Sequence, residues 1–273
     1  VAGVVKGASK GEGLGNQFLG HIKNVDAIVH VIRCFDDGGV VHVDGTIDAL
    51  RDAETVNTEL LLKDLDTLER GLAKLRTAAK SGDKKLQAGI DIVEKAHAAV
   101  AAGTPARSLD SGTLSAVAEF NLLTAKKILY VANIDEDSLS KGNAQADALK
   151  AFAESDGAEC ITICGKIESE IAELGPVEQA VFLKDMGIEE SGLNVLGRNA
   201  LRLLNLITFF TAMPRESRAW TLLQGTSAVH AAGKIHTDME RGFICADVFR
   251  LEDLEAAGSE NSLRAAGKIR QEG

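Results

Sequence analysis

The sequence predicts an α/β protein: a parallel sheet, interrupted by an inserted pair of long helices and followed by a small α+β module. Three observations predict it. Short apolar runs rich in β-branched residues alternate with helical stretches, a leucine repeat with coiled-coil spacing fills the middle, and strand-like runs return after about residue 206.

Three runs read as buried parallel strands: Ala27 to Ile32, Lys127 to Ala132 and Cys160 to Cys164. Each is short and bounded by polar or glycine positions. Helices are expected from Asn16 to Lys23 and from Gly192 to Asn205. Between the first two strands, leucines recur at Leu61, Leu65, Leu68, Leu72 and Leu75, the four-three alternation of a coiled-coil seam. Ser81-Gly82-Asp83 breaks that helix. Leu86, Ile90, Val93, His97 and Val100 continue the alternation in a second helix, so the pair forms an antiparallel hairpin. His97, at a seam position, reads as a packed or rim histidine rather than a ligand. In the last module, Thr208 to Thr211, Arg218 to Leu222 and Ala246 to Leu251 read as strands. Thr226 to Ile235 reads as a helix opened by a threonine cap.

Composition narrows the classes. With 45% hydrophobic residues the chain can bury a large core, and its length allows one to three domains. A net charge of −10 argues against a protein that coats nucleic acid over its whole surface, while leaving room for a local basic patch. Cys34, Cys160, Cys164 and Cys245 form no C-x-x-C pair, which argues against zinc and a disulfide framework and for buried thiols in a reducing compartment. No apolar run is long enough to span a membrane, and no signal peptide is visible. The opening at Val1, inside a glycine-rich stretch, and the ending at Gly273 lead us to expect truncation at both ends.

The stretch Val1-Ala2-Gly3-Val4-Val5-Lys6-Gly7-Ala8-Ser9-Lys10-Gly11-Glu12-Gly13-Leu14-Gly15-Asn16 holds five glycines between Gly3 and Gly15. Such a loop reaches backbone angles closed to other residues and can change shape when a γ-phosphate comes or goes. Alone it is equally a flexible surface loop. Context adds weight. Asn133-Ile134-Asp135-Glu136 follows the second strand, and Cys164-Gly165-Lys166 follows the third. Ligands in open α/β sheets bind at the carboxyl ends of strands, so these segments are expected to converge.

These residues resemble the YchF or Obg-like ATPase family, within the Obg group of P-loop proteins. Gly7-Ala8-Ser9 through Gly15-Asn16 resembles the group's switch II loop, and Val1-Ala2-Gly3 the tail of its D-x-x-G motif. Arg33-Cys34-Phe35-Asp36-Asp37 resembles the family's turn after the next strand. Arg218-Ala219-Trp220-Thr221 and His236-Thr237-Asp238-Met239-Glu240-Arg241-Gly242-Phe243 resemble its TGS domain. The resemblance covers essentially the whole chain. It implies a P-loop NTPase-type sheet in two parts, 1–45 and 114–205, a coiled-coil insertion at 46–113, and a TGS-like module at 206–273. No stretch matches G-x-x-x-x-G-K-[ST], and the switch I threonine region and metal-binding aspartate are also absent. No catalytic residue is therefore assigned beyond the switch II positions Gly3 and Val4, and no metal ligand. Val4 stands where Ras-like proteins keep the glutamine that orients water.

Base choice has a physical argument. GTPases read guanine with N-K-x-D, whose aspartate accepts the N1 and N2 donors. Here the lysine position is Ile134 and the aspartate position is Glu136. Adenine offers an acceptor at N1 and no N2 amine, while Asn133 can pair with its N6 and N7. The resemblance likewise implies ATP, with Val1, Ala2, Gly3, Asn133, Ile134, Cys164, Gly165 and Lys166 as the nucleotide contacts. It also places Phe35 beside the base, although taken alone Phe35 reads as a core aromatic. Between residues 70 and 85, Arg70, Lys74, Arg76, Lys80, Lys84 and Lys85 face only Asp83, a local charge of +5 at the hairpin tip. That is either a solvated coiled-coil end or a phosphate-backbone contact through Lys80, Lys84 and Lys85. The resemblance favours ribosome or RNA contact.

The resemblance thus implies a cytoplasmic switch protein that hydrolyses ATP to ADP and phosphate with Mg²⁺, whose ligands fall in the missing N-terminal part. It implies association with the ribosome or RNA, and no membrane or DNA partner. The competing expectations are an Obg or DRG-type GTPase and a non-enzymatic RNA-binding adapter.

Overall fold

The computed structural model describes Gly7 and residues 19–39, 41–42, 45–80, 84–213 and 216–273, with the side chains of 84, 85, 212 and 213 outside that description. Val1 to Val4, the remainder of the glycine-rich stretch apart from Gly7, and the Ser81-Gly82-Asp83 break lie outside the described residues. The chain forms two compact units, the first ending at Leu204 and the second beginning at Asn205.

The first unit is built on a three-stranded parallel sheet in the order β1 (Ala27–Arg33), β2 (Lys127–Asn133), β3 (Glu159–Ile163). Ala27 pairs with Lys127 and Arg33 with Asn133, so the carboxyl ends of β1 and β2 are level. Asn133 in turn lies opposite Ile163 at the end of β3. β2 is central, and Ile128 through Ala132 are each at most 2% exposed. Both faces are covered, which is why its sequence is a continuous apolar run rather than an alternation.

Between β1 and β2 the chain runs through two long helices. The first, α1 (Ala49–Ala79), is opened by Asp48, whose carboxylate accepts the Arg51 N–H. The second, α2 (Lys84–Ala101), packs against it. Leu68, Leu72, Ile90, Val93 and Val100 are buried in their shared core, with Leu61, Leu65 and Leu75 partly buried around it. Ala96, fully buried, sits deeper than His97, which lies at the rim with Nε2 3.5 Å from Glu69.

Residues 106–125 form a collar of short turns that extends the hairpin core. It includes α3 (Ser111–Ala116), and Ala106, Val117 and Leu122 are buried with the seam residues. A Cβ at position 71 would come within 2.2 Å of the Phe120 ring, so Gly71 in mid-helix is what lets the collar close on α1. Asp64, 1% exposed, fastens the collar: its carboxylate accepts the N–H groups of Leu123 (2.6 Å) and Thr124 (2.7 Å) and the Thr124 hydroxyl (2.7 Å). Burial pushes the Asp64 carboxyl up, and those donors oppose the shift. A second network joins the hairpin root to the sheet. Asn57 donates to the Tyr130 hydroxyl at 2.8 Å, the hydroxyl donates to Asp156 at 2.9 Å, and Arg107 pairs with Asp156.

After β2 come α4 (Glu136–Lys141) and α5 (Ala144–Ser155), and after β3 come α6 (Gly165–Glu173), α7 (Pro176–Asp185) and α8 (Gly192–Leu203). Helices α1 and α5 pack on the face carrying Ile128, Tyr130 and Ala132. Leu129 and Val131 point to the opposite face, where α8 lies against β2 and β3. Val29 and Val31 of β1, on that second face, are 42% and 56% exposed.

The second unit pairs β4 (Leu206–Met213) with β5 (Glu216–Leu223) as an antiparallel hairpin. Trp220 is stacked on Phe209 and capped by the Arg218 guanidinium, 4.2 Å from its ring centroid. Then follow α9 (Ala228–Ile235), α10 (Thr237–Arg241), β6 (Ala246–Val248), α11 (Leu251–Ala257), α12 (Glu260–Ala265) and β7 (Arg270–Glu272), with β7 antiparallel to β6.

Three sequence expectations need correction here. The strand expected from Ala246 to Leu251 stops at Val248, because Leu251 opens α11 with Glu252 and Asp253 favourably placed in its first turn. Ser227, not Thr226, precedes α9; the Thr226 hydroxyl instead donates to the Leu223 carbonyl at 2.6 Å. Of the four thiols expected to be buried, Cys245 is exposed and Cys160 only half-buried, while burial pushes the Cys34 thiol up to about 12.

Candidate functional site

The site is assembled from the three level strand ends. Cys34 N–H donates to the Asn133 carbonyl at 2.8 Å, and Ile134 N–H donates to the Ile163 carbonyl at 2.9 Å. Each strand's exit is thereby tied to its neighbour's last residue. The Asn133 side chain adds a third tie, its Oδ1 accepting the Gly165 N–H at 2.9 Å. That contact explains the glycine: a Cβ at position 165 would press on the Asn133 carboxamide at 3.2 Å. Across the loops, the Lys166 ammonium and the Glu136 carboxylate pair at 2.7 Å, and the carboxylate holds the ammonium above its ordinary range. Asp135 caps α4 by accepting the Ser138 N–H at 3.0 Å, and those Ser138 bonds hold its carboxyl below the usual range. Phe35 is half-buried beside Arg33, whose guanidinium is 4.9 Å from the ring centroid and whose Nε donates to the Phe35 carbonyl at 3.0 Å.

Phe35, Asn133, Glu136, Cys164, Gly165 and Lys166 are therefore collected at one edge of the sheet. Val1, Ala2, Gly3 and Val4 lie outside the described residues. Two of the expected contacts have a different character from the one anticipated. Ile134 is 4% exposed and belongs to the main core with Ile32, Cys34 and Ile167. It removes a lysine from the site rather than lining it. Cys164, 3% exposed, is likewise a core residue that precedes α6.

Asn143 was not anticipated. It caps α5, and its Nδ2 donates to the Cys34 carbonyl at 2.6 Å and to the Ser138 hydroxyl at 3.1 Å. The Phe35 turn is thereby fixed against α4. Asparagine just after Gly142, ahead of an alanine-rich stretch, is a helix-start signal that marks the position but not its long-range partner.

A cleft of about 380 Å³ lies elsewhere, between Glu54, Asn57 and Leu61 of α1, Arg107, and Phe152 and Asp156 at the end of α5. It is at the hairpin root, and the strand-end loops do not line it. Among the described residues no cluster of three or more histidine, cysteine or acidic side chains could hold a metal ion. No described helix is long and apolar enough to cross a membrane.

A parallel sheet, an inserted antiparallel pair of long helices and a small C-terminal α+β module together make a mixed α/β architecture. A family model, YchF-GTPase_C, described as a protein of unknown function (DUF933), matches residues 206–273. All of the chain aligns with the ribosome-binding ATPase YchF of Haemophilus ducreyi, 48% identical over 275 residues and 76% of that protein's length. The Bacillus subtilis protein of the same name is 46% identical over 277 residues, again 76% of its length. Obg-like ATPase 1 of Oryza sativa is 40% identical over 278 residues, 70% of its length. The solved structure of the Schizosaccharomyces pombe YchF GTPase superposes with a TM-score of 0.81 at 33% identity, covering 97% of this chain and 72% of that one. The chain belongs to the YchF/Obg-like ATPase family.

Proposed function

We propose that the protein carrying this chain is a cytoplasmic, ATP-selective switch that hydrolyses ATP to ADP and phosphate and associates with the ribosome. The observation that carries the base choice is the Glu136–Lys166 pair. The carboxylate that would accept guanine's N1 and N2 donors is longer than aspartate and already engaged by an ammonium, so guanine gains little from it. Adenine needs no carboxylate there. Its N6 and N7 edge suits the Asn133 carboxamide, which Gly165 holds in place. Phe35 supplies an apolar wall. The residues fit an adenine nucleotide, which when bound supplies the phosphoanhydride that is cleaved. Mg²⁺ is assigned to segments outside these residues. The relatives' names carry the ribosome reading, and the basic hairpin tip supports it.

Because the names of relatives divide between ATPase and GTPase, calorimetric titration of the intact protein with both nucleotides is the test. ATP is expected to bind about 10-fold tighter or more, each factor of 10 being about 1.4 kcal/mol. Glu136→Asp is expected to narrow the ratio. Ile134→Lys is a poor companion, since it would place an ammonium in the core. GTP binding as tight as ATP would overturn the assignment.

Residues 1–273 contain no phosphate loop, so the polypeptide made of these residues alone is expected to show no ATP turnover above background. A phosphate loop cradles phosphates with backbone N–H groups and a lysine, and supplies most of the grip. The same polypeptide presents β1, paired only to β2 among the described residues, with Val29 and Val31 exposed, a pattern that invites aggregation. Phosphate release and a thermal melt check this; turnover together with a cooperative melt would contradict it.

A further inference from the structure

Glu59 stands inside α1 and is 3% exposed, a place where a carboxylate persists only if its oxygens are engaged. Its Oε1 accepts the backbone N–H of Gly7 at 2.6 Å, across 52 positions of sequence. Gly7 has φ of +87°, in the left-handed region that favours glycine, so the backbone that presents this N–H is itself specified by the sequence. Gly7 is four residues from Gly3, which limits their separation to about 14 Å whatever path the chain takes.

We propose that Glu59 is a positioning residue that latches the glycine-rich segment to the coiled-coil helix at Gly7, so that a nucleotide-dependent shift of that segment turns the hairpin. The proposal rests on reading the segment as nucleotide-responsive. The lever is present in the fold. Helix α1 continues unbroken from Ala49 to Ala79, about 46 Å at 1.5 Å per residue. Lys80 lies 21 residues beyond Glu59, roughly 31 Å along the helix axis, so a turn of about 10° at the latch would carry the tip about 5 Å. The latch sits beside Leu60, which packs with Leu19 and Leu123 in a separate small cluster, so the contact is made where α1 leaves the sheet. A structural role for Glu59 needs only a neutral acceptor of the right size; a latch must also respond to nucleotide.

The test uses the intact protein as wild type, Glu59→Ala and Glu59→Gln. Hydrogen exchange at the Gly7 amide reads the latch directly. Exchange is expected to be at least about 10-fold faster in Glu59→Ala and intermediate in Glu59→Gln, which keeps a carbonyl acceptor and the side chain's volume. Ribosome co-sedimentation with a non-hydrolysable ATP analogue and with ADP reads the coupling. The wild-type affinity ratio between the two states is expected to fall to about 1 in Glu59→Ala and to be largely restored in Glu59→Gln. Unchanged Gly7 exchange in both variants, or a full nucleotide ratio in Glu59→Ala, overturns the proposal. If wild type itself shows no nucleotide ratio, the switch reading and the coupling claim both fail, and the exchange data then decide whether the Glu59–Gly7 contact exists. Should Glu59→Ala not fold, Glu59→Leu, which removes the acceptor and keeps much of the volume, takes its place: Gly7 exchange equal to wild type in that variant sinks the latch.

Discussion

Charge reversal at Lys80, Lys84 and Lys85 will weaken ribosome association about 100-fold near physiological salt, the loss expected for three phosphate contacts. The structure removes two arginines from the basic tip. Arg70 is paired with Asp66 at 2.6 Å and Arg76 with Glu94 at 2.7 Å, so two of the six tip cations are already committed within the hairpin. Lys80 is exposed at the end of α1. Lys84 and Lys85 open α2, whose first turn has no acidic residue. Cations at a helix N-terminus oppose the helix dipole, typically by about 0.3–1 kcal/mol each. The wild-type affinity should fall steeply with salt, and the variant's log–log slope should be shallower by about 3. Nucleotide affinity should not change, since the site lies at the other end of α1. Co-sedimentation at several salt concentrations reads both quantities. Equal binding of wild type and variant at every salt would assign the tip to solvent.

Asp64→Ala will cost the fold about 3–4 kcal/mol. The substitution leaves the buried N–H groups of Leu123 and Thr124 without an acceptor, and hydrogen bonds to a charged group are worth roughly 1.5–3 kcal/mol each. It also loosens Thr124, whose hydroxyl accepts the Ala106 N–H at 2.9 Å, so the collar comes away on both sides. Asp64→Asn should lie between, because one oxygen remains to accept while the new amide meets a donor. Chemical denaturation of the intact protein measures the difference. A loss of less than about 1 kcal/mol would mean the collar finds other partners, as surface substitutions do.

The parts of the fold legible in the sequence are those set by local periodicity. The strands of the sheet were readable because burial on two faces leaves an uninterrupted apolar run, and the hairpin because Leu61 through Leu75 keep one seam. The convergence of Asn133, Glu136 and Lys166 followed from strand order alone, since loops at one edge of a parallel sheet must meet. What the sequence hid depends on long-range contacts. Nothing local announces that Asp64 will accept N–H groups 59 and 60 residues away, or that Glu59 will hold Gly7. Gly71 stands in mid-helix because the Phe120 ring, 49 residues away, needs the space. Ile134 was read by motif position as a base contact, whereas its pairing to Ile163 turns its side chain into the core. The strand's end at Val248 has a local cause, since Glu252 and Asp253 carry a helix-start signal.

The proposed ATP site requires that the three strand-end loops hold the base. Photolabelling of the intact protein with 8-azido-ATP, followed by tryptic mapping, tests it most directly. Adducts are expected in the peptides Cys34 to Arg51, Ile128 to Lys141 and Ala151 to Lys166, suppressed by excess ATP and much less by GTP. Specific labelling confined to the hairpin-root cleft at Glu54, Arg107 and Phe152, or to the C-terminal module, would contradict it.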